Sequence, residues 1–393
     1  MRILLVSQYY YPERFSVTDI AEELVKEGNE VTVLTGKPNY GYQMILPEYK
    51  KVKYEEINGV KVHRVNVKPR KYSRMSIIKN YLSFHFNGKR FARKFKEEFD
   101  VVLSISLSPV ISISPALKFA EKHKIPCVLY CQDLWPESTL VTKAVKKYSL
   151  TYKILYKWSK AIYSKCDRIV ISSPSFKGYF VNELGIKDKV FNVVHQPILD
   201  STKKSEPIVY ENKHNFVYAG NIGKLQLTDL LVEAMKYVKT EDVKLHLMGM
   251  GSELNQIKEK IASDNLSDKV IYEGAYPIEK AEAYYMNADA LVVSLKNEGY
   301  VGKTIPNKAI QYMKYGRPLL VVAKGDTYDV LSKANGSIFA SEGPKEIAKA
   351  IDEICNSNEK DLLGLNNKKY FEEHFTTEKL THQLLDELIS ARK

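Results

Sequence analysis

The stretch Arg2–Gly36, RILLVSQYYYPERFSVTDIAEELVKEGNEVTVLTG, decides the fold. RILLVSQ is a short apolar run. SVTDIAEELVKEG places Ile20, Ala21, Leu24 and Val25 at helical spacing, and Gly28 stands where a helix C-terminus favours glycine. NEVTVLTG is a second run, rich in β-branched residues. Strand, helix and strand in this order predict a βαβ unit of a parallel sheet.

The alternation continues outward. FDVVLSIS (Phe99–Ser106), IPCVLYCQ (Ile125–Gln132), CDRIVISS (Cys166–Ser173) and KVFNVVHQP (Lys189–Pro197) read as further strands, with ALKFAEKHK (Ala116–Lys124) as a helix. Such uniformly apolar strands are covered on both faces. The polar, aperiodic segment Asp200–Asn215 reads as a linker. A second series starts at NFVYAGNIG (Asn215–Gly223). It runs through KLHLMGMG (Lys244–Gly251), DKVIYEG (Asp268–Gly274), ADALVVSL (Ala288–Leu295), RPLLVVA (Arg317–Ala323) and GSIFA (Gly336–Ala340). The reading is an α/β chain of two doubly wound, Rossmann-like domains, residues 1–198 and 199–375. A final helix over 376–393 crosses back to the first domain. A length of 393 residues suits two domains of ordinary size.

The four cysteines, Cys127, Cys131, Cys166 and Cys355, form no metal or redox spacing, so reduced, packed thiols are expected. The opening residues lack a signal-peptide pattern. The longest uncharged stretch, Val101–Leu117, is broken by two prolines, so a soluble or peripheral chain is expected. The net charge of +12 favours an anionic partner. Much of it lies among aromatic and aliphatic residues between Lys61 and Lys96, and again between Lys146 and Lys165. That pattern suits an anionic membrane surface or a solvated helical face. No nucleic-acid recognition motif accompanies it.

In open parallel sheets, ligands bind beyond the carboxyl ends of the strands. YAGNIGKLQ (Tyr218–Gln226) follows a strand and precedes a helix expected over Thr228–Tyr237. Gly220 and Gly223 permit close backbone approach, Asn221 lies between them, and Lys224 adds charge. Both a phosphate site and a purely geometric turn fit. LMGMGSEL (Leu247–Leu254), containing Gly249, repeats the logic, and Ser252 reads as an N-cap. GYVGKTIPNKAIQYMKYGRP (Gly299–Pro318) carries Lys303, Thr304 and Asn307, then a helix bearing Lys308 and Gln311. It suits a phosphorylated ligand or a solvated basic loop. In QDLWPES (Gln132–Ser138) the strand ends in a polar cluster. Asp133 there can accept a proton or a sugar hydroxyl, and Trp135 can stack on a ring. Glu137 and Ser138 read as helix caps.

These blocks, with QYYYPERF, GKPNY, SLSP and KTIPNKAIQYMKYGRP, resemble the family 4 retaining glycosyltransferases of the two-domain GT-B type. The WbuB-like branch of capsule and O-antigen synthesis is similar over essentially the whole chain. The resemblance implies sugar transfer from a nucleotide-diphosphate sugar, UDP-linked, to a lipid-linked saccharide at the inner face of the cell membrane. It implies no metal and no cofactor beyond the nucleotide-sugar substrate. It assigns Asp133 to catalysis on the acceptor side, with Trp135, Ser108 and Tyr11 as acceptor contacts. It assigns Gly220, Asn221, Gly223, Lys224, Gly249, Tyr276, Lys303, Thr304, Asn307, Lys308 and Gln311 to the donor. Three departures stand out. The loop Pro12–Ser16 lacks paired glycines, and Leu227–Asp229 lacks a lysine. Lys303 and Gln311 occupy positions where the wider family has two glutamates; Gln311 can still hydrogen-bond ribose hydroxyls. Two other readings remain at this level: a nucleotide-sugar epimerase of the same fold, and a non-catalytic protein binding anionic polymers or membranes.

Overall fold

The computed structural model describes residues 1–107, 109–141, 145–199, 205–276 and 278–392, the side chains of 141, 278 and 301 excepted. The chain divides into two compact units, Met1–Leu199 with Thr377–Lys393, and Asp200–Thr376.

The first unit is built on an eight-stranded sheet ordered β3-β4-β2-β1-β5-β6-β7-β8. Its strands are β1 (Arg2–Val6), β2 (Glu30–Gly36), β3 (Tyr54–Ile57), β4 (Val60–Val65), β5 (Val101–Ser106), β6 (Cys127–Cys131), β7 (Arg168–Ile171) and β8 (Phe191–Val193). Seven strands run parallel, and β3 pairs antiparallel with β4. That hairpin is absent from the sequence reading. Its signal is Asn58-Gly59, both at positive φ (49° and 81°), the preference of a two-residue hairpin turn. Ile3, Leu4, Leu5 and Val6 are all fully buried, as expected of a central strand with helices on both faces.

The helix Ser16–Lys26 buries Val17, Ile20, Ala21 and Leu24, a spacing that makes one apolar stripe. Val25 turns aside, and Val17 takes its expected place. Gly28, at φ +82°, donates to the Val25 carbonyl and closes the helix. The helix Thr377–Ala391 packs beside Ser16–Lys26 and over β5–β7. There Glu387 accepts from Arg168 on β7 and from Asn192 on β8, tying the chain's last helix to the sheet edge.

The second unit has a six-stranded, all-parallel sheet ordered β11-β10-β9-β12-β13-β14. Its strands are β9 (His214–Ala219), β10 (Val243–Met248), β11 (Val270–Gly274), β12 (Ala290–Ser294), β13 (Leu319–Val322) and β14 (Ser337–Phe339). In each sheet the order reverses beside the first strand of its series, at β1/β5 and at β9/β12. Those reversals open crevices at the carboxyl ends. Two local expectations are corrected. Ser252 is not an N-cap: the helix Leu254–Ser263 starts after Glu253 with no side-chain cap, and the Ser252 hydroxyl lies toward the Glu253 carboxylate. The helix after the Tyr218–Gln226 turn is Thr228–Ala234, shorter than read.

The helices Arg74–Lys94 and Ser114–His123 cross at Gly88, where a Cβ would lie 2.6 Å from Pro115 Cγ. Alanine normally favours a helix by about 1 kcal/mol over glycine, but overpacking costs about 1–3 kcal/mol. Gly88→Ala is therefore expected to lower the unfolding midpoint of the first unit in calorimetry. An unchanged or raised midpoint would show that this helix pair has room to separate.

Candidate functional site

In the second unit, β9 ends at Ala219, where a side chain from a distant helix grips the backbone. The Tyr312 hydroxyl, on helix Asn307–Met313, accepts the Ala219 N–H at 2.9 Å and donates to the Ala219 carbonyl at 3.0 Å. This ties the helix to the strand end. The chain then turns through Gly220 at φ +147°, and β10 turns through Gly249 at φ +133°. The turns interlock: Gly220 N–H donates to Met248 at 2.9 Å, Ile222 N–H to Met250 at 2.8 Å, and Gly249 N–H to Gly274 at 2.8 Å. A Cβ on Gly249 would sit 1.8 Å from the Gly220 carbonyl oxygen. Glycine is thus required at Gly249 for space as well as for backbone angle.

A cavity of about 440 Å³ opens at this junction, lined by Gly220, Asn221, Gly249, Tyr276, Lys308 and Gln311, with apolar wall from Met248, Met250 and Tyr285. The six come from three turns at the carboxyl ends of β9, β10 and β11 and from the helix Tyr312 anchors. Lys308 and Gln311 are three residues apart and share a helix face. The Lys308 ammonium is buried and makes no hydrogen bond among the described residues. It lies 3.6 Å from the centroid of the Tyr218 ring, while the Tyr218 hydroxyl donates to Asn221 O at 2.6 Å. Burial pushes the Lys308 pKa down to about 7. The Gln311 Nε2 is likewise buried and unpaired. Two orphan donors beside a glycine turn are chemically suited to anionic oxygens.

Other expected donor residues lie outside this cavity. Gly223 precedes a short 3₁₀ turn, Lys224–Gln226, where Asn221 Nδ2 donates to Gln226 Oε1 at 2.8 Å. Lys224 is exposed. Lys303 is also exposed, 5.7 Å from the Tyr300 ring centroid, and the Thr304 carbonyl accepts from the Thr327 hydroxyl at 2.8 Å. Asn307 opens the helix, half-buried. Of the three lysines that the resemblance assigns to the donor, Lys308 lines the cavity and Lys224 and Lys303 do not.

In the first unit, β6 delivers Asp133 one residue beyond Gln132. Its carboxyl is mostly packed, and burial raises its pKa to about 7. The Leu134 amide and the Ser138 hydroxyl pull the other way, the latter from beyond hydrogen-bond distance. Trp135 N–H donates to the Tyr163 hydroxyl, and the Trp135 carbonyl accepts from Tyr179, each at 3.3 Å; the residue is half-buried. Glu137 opens the helix Glu137–Val141 and accepts the Tyr152 hydroxyl, bracing this segment against the helix Leu150–Tyr163. Tyr11 is exposed, its N–H on Thr18 Oγ1 at 3.2 Å. Ser108 lies outside the described residues. Sequence reasoning missed Tyr218 and Tyr312, whose tyrosine–backbone hydrogen bonds leave no spacing signal.

Two doubly wound units, each with its crevice at the point of strand reversal, define the GT-B class of glycosyltransferase folds. The sucrose-phosphate synthase of Thermosynechococcus elongatus shares it with a TM-score of 0.74 at 18% identity over 99% of both chains. Residues 15–198 match the model of Glycosyltransferase Family 4 and residues 213–357 that of Glycosyl transferases group 1. Between them the two models take in most of the chain, which carries both of these glycosyltransferase domains. A probable glycosyltransferase, WbjE of Pseudomonas aeruginosa, is 26% identical over 284 residues, 68% of each chain. The UDP-N-acetylglucosamine–N-acetylmuramyl-(pentapeptide) pyrophosphoryl-undecaprenol N-acetylglucosamine transferase of Staphylococcus aureus is 21% identical over 93% of each.

The unpaired ammonium has a measurable cost. Lys308 holds fewer protons folded than unfolded between about pH 7 and its ordinary value of 10.5. Its destabilising effect is therefore full below pH 7 and fades as pH rises toward 10.5. It fades because deprotonation removes the buried charge. Lys308→Met is expected to stabilise the second unit by on the order of 1 kcal/mol or more at about pH 7, and less at about pH 10. Denaturant titration at the two pH values checks this; a variant destabilised at neutral pH would show that the lysine is paired.

Proposed function

We propose that this glycosyltransferase moves a sugar, with retention, from a UDP-linked donor to a lipid-linked saccharide in cell-surface polysaccharide synthesis, as in the WbuB-like branch. One observation carries the donor half of this reading: the buried, unpartnered Lys308 ammonium beside the Gly220 turn. A donor diphosphate there meets one cation and the turn's amides, and Gln311 reaches ribose hydroxyls. The Staphylococcus relative's name joins a UDP-sugar to a pyrophosphoryl-undecaprenol acceptor, which supports the same pairing here.

The chemistry follows from charge. The bond between the anomeric carbon and the diphosphate oxygen breaks as the acceptor oxygen bonds to that carbon. Negative charge grows on the leaving diphosphate, where Lys308 and the amides stabilise it without a metal. The acceptor proton passes to the departing diphosphate on the same face, and Asp133 orients the acceptor hydroxyl or takes the proton itself.

Membrane placement rests on the first unit. Helix Arg74–Lys94 exposes Met75, Ile78, Leu82 and Phe86, and helix Leu150–Tyr163 exposes Leu150, Ile154 and Trp158. Both pack on the turn Val110–Ile113, and lysines and arginines flank both stripes. Basic helices with apolar outer faces suit the interface of an anionic bilayer, here its cytoplasmic side. No helix among the described residues is long and apolar enough to span it.

Two measurements test the reading. Calorimetric titration with UDP is expected to show binding at neutral pH. Lys308→Gln is expected to weaken that binding by about tenfold or more, because it deletes a charge-assisted hydrogen bond to phosphate. Above neutral pH the free lysine must take up a proton to bind, so wild-type affinity falls as pH rises, by up to about tenfold per unit. No UDP binding, or binding indifferent to Lys308, contradicts the donor site. Asp133→Asn is expected to cut turnover by about 10²-fold. It also raises stability at about pH 8, because a carboxylate held near pKa 7 by burial is costly once ionised. Near-normal turnover with unchanged stability would remove Asp133 from the mechanism.

A further inference from the structure

A second cation without a carboxylate partner among the described residues stands in the first unit, on a residue given no role above. Arg70 follows β4, on the segment leading into helix Arg74–Lys94. Its backbone is locked by a buried amide network. Arg70 N–H donates to Asn39 Oδ1 at 2.9 Å, which also accepts from Asn80 Nδ2 at 2.9 Å. Asn80 Oδ1 in turn accepts from Gln8 Nε2 at 2.7 Å, and the Asn39 N–H donates to Glu13 Oε1 at 2.6 Å. The segments after β1, β2 and β4 are thereby joined to one helix at the carboxyl edge of the sheet.

The guanidinium projects from this base into tyrosines. Nη1 donates to the Tyr9 hydroxyl at 3.0 Å and to the Tyr81 hydroxyl at 2.6 Å. The guanidinium carbon lies 5.0 Å from the Tyr40 ring centroid and 5.3 Å from that of Tyr81. Tyr40 packs edge-on against Tyr9 and Phe15, which holds the rings in place. Both hydrogens of Nη1 are thus committed to phenols. Nε and Nη2 have no hydrogen-bond partner among the described residues and are not buried polar orphans, so they face solvent. No carboxylate among the described residues pairs with Arg70. The phenol of Tyr81 feels the Asp133 carboxylate, so the cluster and the β6 end are neighbours on one edge.

A rigid, half-buried guanidinium with one arm anchored and a free Nε–Nη2 edge is shaped for a two-oxygen anion. We propose that Arg70, held by Tyr9 and Tyr81, binds a phosphate, diphosphate or carboxylate group carried by the acceptor. The acceptor is then anionic close to its reacting hydroxyl, as a lipid diphosphate or an acidic sugar would be. The inference rests on the glycosyltransferase reading only for the word acceptor; the anion site stands on its own geometry.

The full chain, saturated with UDP to fill the donor site, is titrated calorimetrically with farnesyl diphosphate and, separately, with glucuronate. Octyl glucoside serves as the uncharged control. One of the two anions is expected to bind the wild type. Arg70→Gln is expected to weaken it tenfold or more, with Arg70→Lys in between, because the charge survives and the fork does not. Tyr81→Phe, which keeps the guanidinium but frees its anchored arm, is expected to weaken it several-fold. UDP affinity is expected to be unchanged in all three, and circular dichroism melts report folding. Farnesyl diphosphate binding identifies a lipid diphosphate as the source, and glucuronate binding an acidic sugar. The proposal is overturned if the wild type binds neither anion, if Arg70→Gln binds them as the wild type does, or if Arg70→Gln loses UDP. Absence of UDP binding in the wild type would instead remove the donor reading and leave the Arg70 comparison to be read alone.

Discussion

An ammonium group taken out of water and given no oxygen to meet is the constraint on which the site depends. Lys308 Nζ rests on the Tyr218 ring and makes no hydrogen bond among the described residues. The ring's quadrupole offsets part of the lost hydration, but less than a carboxylate would. The fold keeps the group there by other means. Tyr312 locks the lysine's helix to the end of β9, and the Gly220 and Gly249 turns close too tightly to admit a side chain between them. In the proposed donor reading, such a site is preorganised for an anion that arrives with its own charge, so little rearrangement is required at binding.

The same trade recurs in the first unit. Asp133 is held by burial near neutrality, and Arg70 is half-buried among phenols without a carboxylate. Each is unfavourable for folding when taken alone. Around them the structure is orthodox: continuous apolar strands, covered faces and interlocked backbone turns. Packing supplies the stability, and the strand ends hold the groups that packing alone would not choose. Parallel sheets make this separation natural, because every strand points its carboxyl end at the same edge.

Much of this is legible in the sequence. The Arg2–Gly36 unit dictates the βαβ reading, and the apolar runs locate both sheets. The glycines at Gly220 and Gly249 and the helix bearing Lys308 and Gln311 are visible as strand–turn–helix patterns. Helical phase also separates the two lysines: Lys308 and Gln311 share a face, whereas Lys303 lies before Pro306, outside the helix. The Asn58-Gly59 turn carries a readable hairpin signal, but the strand before it, Tyr54–Ile57, is too short and polar to stand out. Ser252 has the composition of a cap, but the helix begins two residues later. The Arg70 cluster is not legible. Tyr9, Tyr40, Arg70 and Tyr81 come from four segments, and only the packing of helix Arg74–Lys94 against the strand ends brings them together. Such clusters are set by tertiary geometry and leave no local period to read.

The most direct test of the central claim is a crystal structure of the protein soaked with UDP. The account predicts the diphosphate within hydrogen-bond distance of Lys308 Nζ and of the backbone N–H groups after Ala219, with the ammonium drawn toward the phosphate oxygens. A nucleotide bound elsewhere, or a diphosphate beyond reach of a Lys308 still resting on Tyr218, would contradict it.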